Sequence, residues 1–326
     1  MNQKAFVTGG NGFIGLNLIE QLLANGWSVT ALHRRNSNLT YLKRFNVRLV
    51  EGAVQDKLAL QRVMPDNIDA IFHVAGDTNY WKRNNALQTQ VNVIGTRNIV
   101  EIASKKRAKC LIHTSSVSAW GDAQGLINEQ TPQQGNKSFV NYEKSKWAGE
   151  QEALKGVQLG LKVVVLNPGS VVGPYDKNTW AKTFFAIKNG ELPLMPPGNT
   201  CVAHVSEVVR AHIAAVEKGK NGQHYILGGI NTSFAAFITE VAKCLDKKPP
   251  VVGNPMLTKI LGWALGTVGN ITGKTPLLTS ELAAMTSRMD YRFSSDLAKK
   301  ELGFQDVPVE ICVRDCYDWL KKEGLV

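Results

Sequence analysis

Thr8-Gly9-Gly10-Asn11-Gly12-Phe13-Ile14-Gly15 decides how the rest of the chain is read. It follows a short apolar run, Lys4–Thr8, and opens an amphipathic segment, Ile14–Asn25. Gly9, Gly12 and Gly15 are spaced GxxGxxG, and Gly10, Gly12 and Gly15 also fit GxGxxG. Such glycines permit a tight turn, close backbone approach to a pyrophosphate, and close packing of helix on strand. The helix start then offers free N–H groups and the positive end of its dipole to phosphate. The stretch therefore predicts a nucleotide site built from Gly9, Gly12, Phe13, Ile14 and Gly15.

Outward from the loop, β-rich runs alternate with helix-length segments. The predicted strands are Lys4–Thr8, Ser28–His33, Val47–Glu51, Ala70–Val74, Cys110–Ser115, Lys162–Asn167 and a late one, Gln223–Leu227. The predicted helices include Leu58–Met64, Val91–Lys105, Tyr142–Leu159 and His204–Lys218. Val-rich strands alternating with helices read as parallel βαβ units, so the fold class is α/β, a doubly wound parallel sheet of Rossmann type. The late strand divides the chain unevenly. Residues 1–167 and 203–228 form the dinucleotide-binding part, and 168–202 and 229–326 form a smaller, partly helical substrate region. The Pro/Gly-rich stretch Pro193–Gly198 reads as a loop over the substrate side.

Composition excludes several classes. At roughly 150 residues per domain, 326 residues suggest two domains. With 44% hydrophobic and 20% charged residues the chain is globular, neither disordered nor collagen-like. Five scattered cysteines without a CxxC read as reduced thiols in a cytoplasmic protein, and none of them suggests a metal site. No leader is expected ahead of the first strand, and no apolar run reaches 18 residues without a charge, so a spanning helix is not expected. The net charge of +11 favours acidic partners, but the basic residues are dispersed and not interleaved with aromatics, so a nucleic-acid partner is not expected. A phosphate-rich cofactor fits better.

The end of the second strand separates the two nicotinamide cofactors. A carboxylate there would bond the ribose 2′-hydroxyl of NAD, whereas arginine accommodates the 2′-phosphate of NADP. The chain reads Ala31-Leu32-His33-Arg34-Arg35-Asn36-Ser37, with two guanidiniums and no carboxylate. NADP is the expected cofactor, held through His33, Arg34 and Arg35; NAD stays open, the bland alternative being a solvated loop.

Tyr142 and Lys146 stand at i, i+4 on a predicted helix and share a face. An ammonium beside a phenol lowers its pKa and suits it to acid–base work. His113-Thr114-Ser115-Ser116 ends the fifth strand, on the side where ligands of such sheets bind, and a hydroxyl there can stabilise charge on a substrate oxygen. His73 and His113 read as core histidines, without a metal cluster around either.

In this order and spacing the motifs resemble the extended short-chain dehydrogenase/reductase superfamily. Further matches are Phe72-His73-Val74-Ala75-Gly76, Asn92-Val93-Ile94-Gly95-Thr96-Arg97-Asn98, Asn167-Pro168-Gly169-Ser170-Val171-Val172-Gly173-Pro174, and the tail from Tyr291 to Phe304. Within the superfamily the chain looks most like the dihydroflavonol-4-reductase-like and hopanoid-associated sugar epimerase-like branches. The resemblance implies that Tyr142 is the general acid, that Lys146 holds the nicotinamide ribose, and that Ser116, ahead of Ser115, polarises the substrate oxygen. It places Ala53 and Val54 near adenine, Ala75 and Gly76 along the cofactor, Pro168 and Ser170 near the nicotinamide, and Asn92 at a structural helix position. It also implies a homodimer as the assembly.

Three departures stand out. Gly52-Ala53-Val54 lacks the carboxylate expected to bond adenine, Trp120-Gly121 replaces Tyr-Gly, and His204-Val205-Ser206-Glu207 replaces His-Val-Asp-Asp. Thr78, Tyr80, Ser116, Trp120, Trp180 and Phe184 are the candidate substrate contacts. Pro255–Leu278, apolar and poor in charge, reads as a lid on the pocket ahead of an interfacial membrane segment. The expected activity is NADP(H)-dependent reduction of an aldehyde or ketone. The alternatives are a redox-neutral nucleotide-sugar epimerase or dehydratase and a dinucleotide sensor without turnover.

Overall fold

The structure, a computed structural model, describes residues 2–192, 194–274, 276 and 278–326. Seven parallel strands form the central sheet: β1 Lys4–Thr8, β2 Ser28–His33, β3 Arg48–Glu51, β4 Ala70–His73, β5 Cys110–Thr114, β6 Lys162–Pro168 and β7 His224–Leu227. Their order is β7-β6-β5-β4-β1-β2-β3. The chain starts in the middle, winds outward through β2 and β3, then crosses to the other side of β1. Helices on both faces explain the continuous apolar runs: Val163, Val164, Val165 and Leu166 of β6 are all fully buried. Helices Phe13–Ala24 and Val205–Lys218 pack on one face; Lys57–Val63, Gly95–Lys105 and Asn141–Gln158 pack on the other.

The strand order reverses between β1 and β4, and that switch point positions the site. The glycine loop leaves β1 while Ala75 and Gly76 leave β4, so the two segments meet. A Cβ on Gly9 would lie 2.7 Å from the Ala75 nitrogen, and Gly9 has a φ of +71°. Gly15 is as constrained, since a Cβ there would lie 2.2 Å from the Gly9 carbonyl oxygen. Both positions therefore require glycine.

The expected Val91–Lys105 helix is interrupted. A helix at Asn85–Thr89 continues through one π-helical turn, Gln90–Ile94, before Gly95–Lys105. Such a turn inserts one residue and re-aims a side chain. Here it buries Asn92, whose Oδ1 accepts from the Asp77 amide at 2.7 Å and whose Nδ2 donates to the Asp77 carbonyl and the Ser145 hydroxyl, both at 2.9 Å.

Beyond the sheet, Ser170–Val172, Asn199–His204 and Ile230–Ser233 make a three-stranded sheet. Helices Ala181–Lys188, Phe234–Cys244 and Val309–Lys322 pack around it in one apolar cluster. Gly125–Ile127 pairs with Tyr291–Phe293 and ties the end of the chain back to the first half. Ala298, Leu302 and Phe304, expected in the substrate region, pack instead into the core of the main sheet, because the amphipathic turn Asp296–Leu302 lays its apolar side against the Val205–Lys218 helix and β7. Of the expected loop, Pro193 lies outside the described residues. Leu194–Met195 pairs with Val251–Val252, and Gly198 packs against the carbonyls of Thr286 and Arg288. No helix among the described residues is long and apolar enough to cross a membrane, and no cluster of three metal-binding side chains occurs among them.

Candidate active site

The floor of the glycine loop is a directed hydrogen-bond chain. The Thr96 hydroxyl donates to the Asn92 carbonyl at 2.7 Å, so it accepts from His73 Nε2 at 3.0 Å. His73 Nδ1 must then accept from the Thr8 hydroxyl at 2.8 Å, and Thr8 Oγ1 in turn accepts from the Ala75 amide at 3.2 Å. Burial, with Lys146 nearby, pushes the His73 imidazole down to about 3, which keeps it neutral in this chain. Gly12 caps the Phe13–Ala24 helix with no side chain over its end, leaving the first-turn amides to a ligand.

At the rim of β2 and β3 lies a cavity of about 600 Å³, lined by Arg34, Arg35, Asn36, Glu51, Gly52, Ala53, Asp56, Ala59 and Arg62. Three guanidiniums face two carboxylates there. The Asp56 carboxylate is already engaged, accepting from the Ala59 amide at 2.9 Å as the cap of the Lys57–Val63 helix. None of the three arginines has a carboxylate within ion-pair distance among the described residues. Arg62 lines the cavity although the sequence alone does not single it out. It comes from a helix nearly thirty positions away, and only the parallel pairing of β2 with β3 carries it to the arginine loop. Ala53 lines this cavity, whereas Val54 is buried and packs over Gly95, its carbonyl accepting from Asn98 at 3.0 Å.

Tyr142 and Lys146 lie on the Asn141–Gln158 helix, both buried, facing the end of β5. Lys146 Nζ donates to the Thr114 carbonyl at 3.1 Å and stands 5.9 Å from the centre of the Tyr142 ring. A Cβ on Gly76 would touch Nζ at 3.3 Å, so this glycine keeps the backbone beside the ammonium. The Ser116 hydroxyl accepts from the Ser118 amide at 3.1 Å, leaving its own proton to donate. Burial raises the Tyr142 phenol to about 12, with the bond to Ser116 pulling the other way. Burial lowers the Lys146 ammonium to about 8 against the pull of Glu150 and Asp77. The lowered tyrosine expected from the neighbouring lysine is therefore not what the geometry produces. Desolvation outweighs an ammonium that is turned toward a carbonyl.

A buried carboxylate backs this triad. Glu150, one helical turn beyond Lys146 and fully buried, accepts from Asn167 Nδ2 at 2.5 Å and from Gln133 Nε2 at 2.6 Å. The same Asn167 amide donates to the Ser116 carbonyl at 3.0 Å, so Glu150 holds the serine strand through one side chain. Its spacing, i+4 from Lys146 and i+8 from Tyr142, puts it on their side of the helix. Glu143 beside Tyr142 is equally buried and is forked by Arg288 at 2.5 and 3.2 Å, tying the helix to the C-terminal region.

The candidate substrate residues divide. Tyr80 meets Tyr142 edge-on at 5.2 Å, and Thr78 is exposed on the same loop. Trp120, Trp180 and Phe184 are placed elsewhere. Trp120 is 1% exposed, with its indole N–H on the Thr131 carbonyl at 2.9 Å and its ring against Phe293. Trp180 packs on Phe234 and Phe237, and Phe184, fully buried, stacks on Tyr317. Trp120 and Phe184 fill cores, and Trp180, half-buried, packs on the edge of one, because nothing in the sequence separates an aromatic that lines a pocket from one that lines a core. Pro168 ends β6, and Ser170 shares a 2.7 Å hydroxyl contact with Thr200. His33 is half-buried, its ring nitrogen on the Arg34 carbonyl at 3.2 Å. Ser115 is buried, and its hydroxyl has no hydrogen-bond partner among the described residues. His113 stacks near His73 at 5.3 Å with burial pushing its pKa well down.

Known proteins resemble the chain over most of its length. The model of the NAD dependent epimerase/dehydratase family matches residues 5–228. A Synechocystis sp. protein assigned provisionally as a dihydroflavonol 4-reductase is 28% identical over 98% of this chain and 95% of its own length. Sterol demethylase protein B of Methylococcus capsulatus is 25% identical over 98% and 99%. The crystal structure of gox2253 superposes with a TM-score of 0.85 at 29% identity, covering all of both chains. With the family's model matched over the glycine loop, the Ser116 strand and the Tyr142 helix, the chain belongs to the NAD-dependent epimerase/dehydratase family of extended short-chain dehydrogenases/reductases.

Proposed function

We propose that the protein is an NADP(H)-dependent reductase of an apolar aldehyde or ketone. The observation that carries this reading is Tyr142. It is buried, and it is held protonated through the neutral range, beside a serine hydroxyl and an ammonium. A phenol with its proton on is the form that can donate to a carbonyl oxygen; oxidation of an alcohol would need the phenolate first.

The residues present fit a dinucleotide phosphate. Gly9, Gly12, Phe13, Ile14 and Gly15 would take the pyrophosphate on backbone amides, in a cradle that a Cβ at Gly9 or Gly15 would fill. Arg34, Arg35 and Arg62 would take the 2′-phosphate, and His33 and Ala53 the adenosine side. Ala75, Gly76, Pro168 and Ser170 would border the nicotinamide. Bound NADPH supplies the hydride. Ser116 donates a hydrogen bond to the substrate oxygen, Tyr142 passes its proton to that oxygen, and the Lys146 ammonium stabilises the phenolate left behind. The product is an alcohol. Two relatives named for a sterol and a dihydroflavonol support a flat, largely apolar substrate, and Tyr80, edge-on to Tyr142, offers an apolar wall for one.

The test is consumption of NADPH and NADH against a panel of aldehydes, ketones and ring-fused carbonyls, with Tyr142→Phe as control. The expected result is substrate-dependent loss of NADPH that falls by orders of magnitude in Tyr142→Phe, with cofactor affinity nearly unchanged. If no carbonyl consumes either cofactor and the denatured protein releases bound NAD, the reductase reading falls and redox-neutral chemistry on a nucleotide sugar takes its place.

A further inference from the structure

The Pro255–Thr272 helix is built inside out for a soluble surface. Its buried positions are Thr258, Gly262, Gly266 and Gly269. Gly262 and Gly266 lie against Thr279, Ser280 and Ala283, so closely that a Cβ on Gly262 would stand 2.7 Å from the Ala283 Cβ, and Gly269 lies against Pro276. The large side chains are on the other side. Leu257 is 61% exposed, Ile260 51%, Trp263 67%, Val268 54% and Ile271 81%. A lid would turn them inward over a cavity, and these face outward. The exposed Val251 and Val252 lead into the same helix, so the apolar surface continues past its start.

Charge selects what covers this face. Residues 247–280 hold four lysines, Lys247, Lys248, Lys259 and Lys274, and no carboxylate. All four are exposed. Lys82 and Arg83 lie beside the helix on the loop whose Trp81 indole donates to Asn270 at 2.9 Å, and both are exposed or nearly so. Two copies joined through this face would bring like charges together, whereas an anionic headgroup layer neutralises them.

We infer that the helix seats the protein on the surface of an anionic phospholipid bilayer, with Leu257, Ile260, Trp263 and Ile271 dipped to the headgroup boundary and the lysines on the phosphates. At about 1.5 Å per residue, 18 residues cover roughly 27 Å, enough for a helix lying in the interface. The patch is one loop from the chemistry. Thr279 donates to the Tyr80 carbonyl at 2.7 Å, and the Tyr80 ring lies on Tyr142. Delivery of an apolar carbonyl from the bilayer to Tyr142 rests on the reductase reading; the seating itself does not.

The test uses the full chain, sedimented with vesicles of phosphatidylcholine alone and of phosphatidylcholine with phosphatidylglycerol. Among the described residues Trp263 is the one exposed tryptophan, so the part of the emission change that Trp263→Ser removes reports insertion. Binding to the anionic vesicles, a shift of emission to shorter wavelength, and release at high salt are expected. Ile260→Ser, Trp263→Ser and Ile271→Ser each weaken binding roughly tenfold, equivalent to about 1.4 kcal/mol. Lys247→Glu with Lys248→Glu abolishes the preference for anionic vesicles with the apolar face intact. Far-UV circular dichroism and the thermal unfolding midpoint stay unchanged in all of these, which shows that they fold. No binding to either vesicle overturns the proposal. So does a dimer in light scattering that the serine variants split, since a second copy then covers the face. Vesicle binding without any carbonyl turnover sinks the reductase reading and leaves the seating intact.

Discussion

Lys146 is held in the fold at a cost, and replacing it with methionine should make the protein more stable while abolishing its activity. Burial lowers the ammonium from 10.5 to about 8, and at about 1.4 kcal/mol per pH unit that drop corresponds to roughly 3 kcal/mol lost at neutral pH by holding the charge inside. Methionine keeps the length and apolar character of the stem without the charge. It also leaves the Thr114 carbonyl without its 3.1 Å donor, a loss of about 1 kcal/mol. The net gain is about 2 kcal/mol. For 326 residues, at an unfolding entropy of about 2.1 cal/mol/K per residue, that is a rise in Tm of about 3 °C. Because the folded pKa is depressed, the penalty is fully present below about 8 and disappears as the pH approaches 10.5, where the unfolded chain also loses its proton. Calorimetry of the wild type and Lys146→Met between pH 7 and 10.5 should therefore show a gap that narrows upward from pH 8. A variant no more stable than the wild type at pH 7, or a gap constant with pH, would refute the assignment of Lys146 as a buried charge.

Two further outcomes follow from the geometry. Arg34→Ala and Arg62→Ala should each weaken NADPH roughly tenfold or more, the worth of a charged hydrogen bond to phosphate, and leave NADH almost unaffected; equal losses for both cofactors in a binding titration would remove the cavity at β2 and β3 from the 2′-phosphate role. Glu150→Ala should lower kcat with little change in NADPH affinity, since it frees Asn167 and the Ser116 strand. Because Glu150 raises the Lys146 pKa, the alkaline limb of the pH profile should also move to lower pH, and an unmoved limb would make Glu150 merely structural.

Much of the fold was legible because burial on both faces leaves a mark. Each strand of the sheet is a short, largely apolar stretch between glycine or polar breaks, and Lys4–Thr8 and Ser28–His33 fall where the sequence predicts them. The π-helical turn at Gln90–Ile94 was not legible, because one inserted residue changes helical periodicity less than a window of apolar positions can register. For the site, the spacing of Tyr142, Lys146 and Ser116 was readable since two of the three share a helix face. Arg62 and Glu150 were not found. Arg62 is joined to its partners only by strand pairing, and Glu150 resembles an ordinary polar helix residue until its burial is known. Trp120 and Phe184 show the converse, in which aromatic character suggests a pocket and the side chain fills a core.

One physical cause sets both halves of the acid–base pair. Removal of water raises the neutral acid Tyr142 to about 12 and lowers the cationic acid Lys146 to about 8. At neutral pH the pair is consequently phenol and ammonium, the state that can deliver a proton. After the proposed delivery, the phenolate would sit in a medium that disfavours charge, and the ammonium 5.9 Å from the ring would be the nearest compensation on the same helix. An ammonium that also deprotonates near 8 cannot serve on the alkaline side. Reduction should therefore hold from the acid side through neutrality and fall with a one-proton slope as Lys146 loses its charge. Alcohol oxidation by the same residues would instead need the phenolate and would rise with pH. The direction of the pH profile thus separates a site organised to donate from one organised to accept.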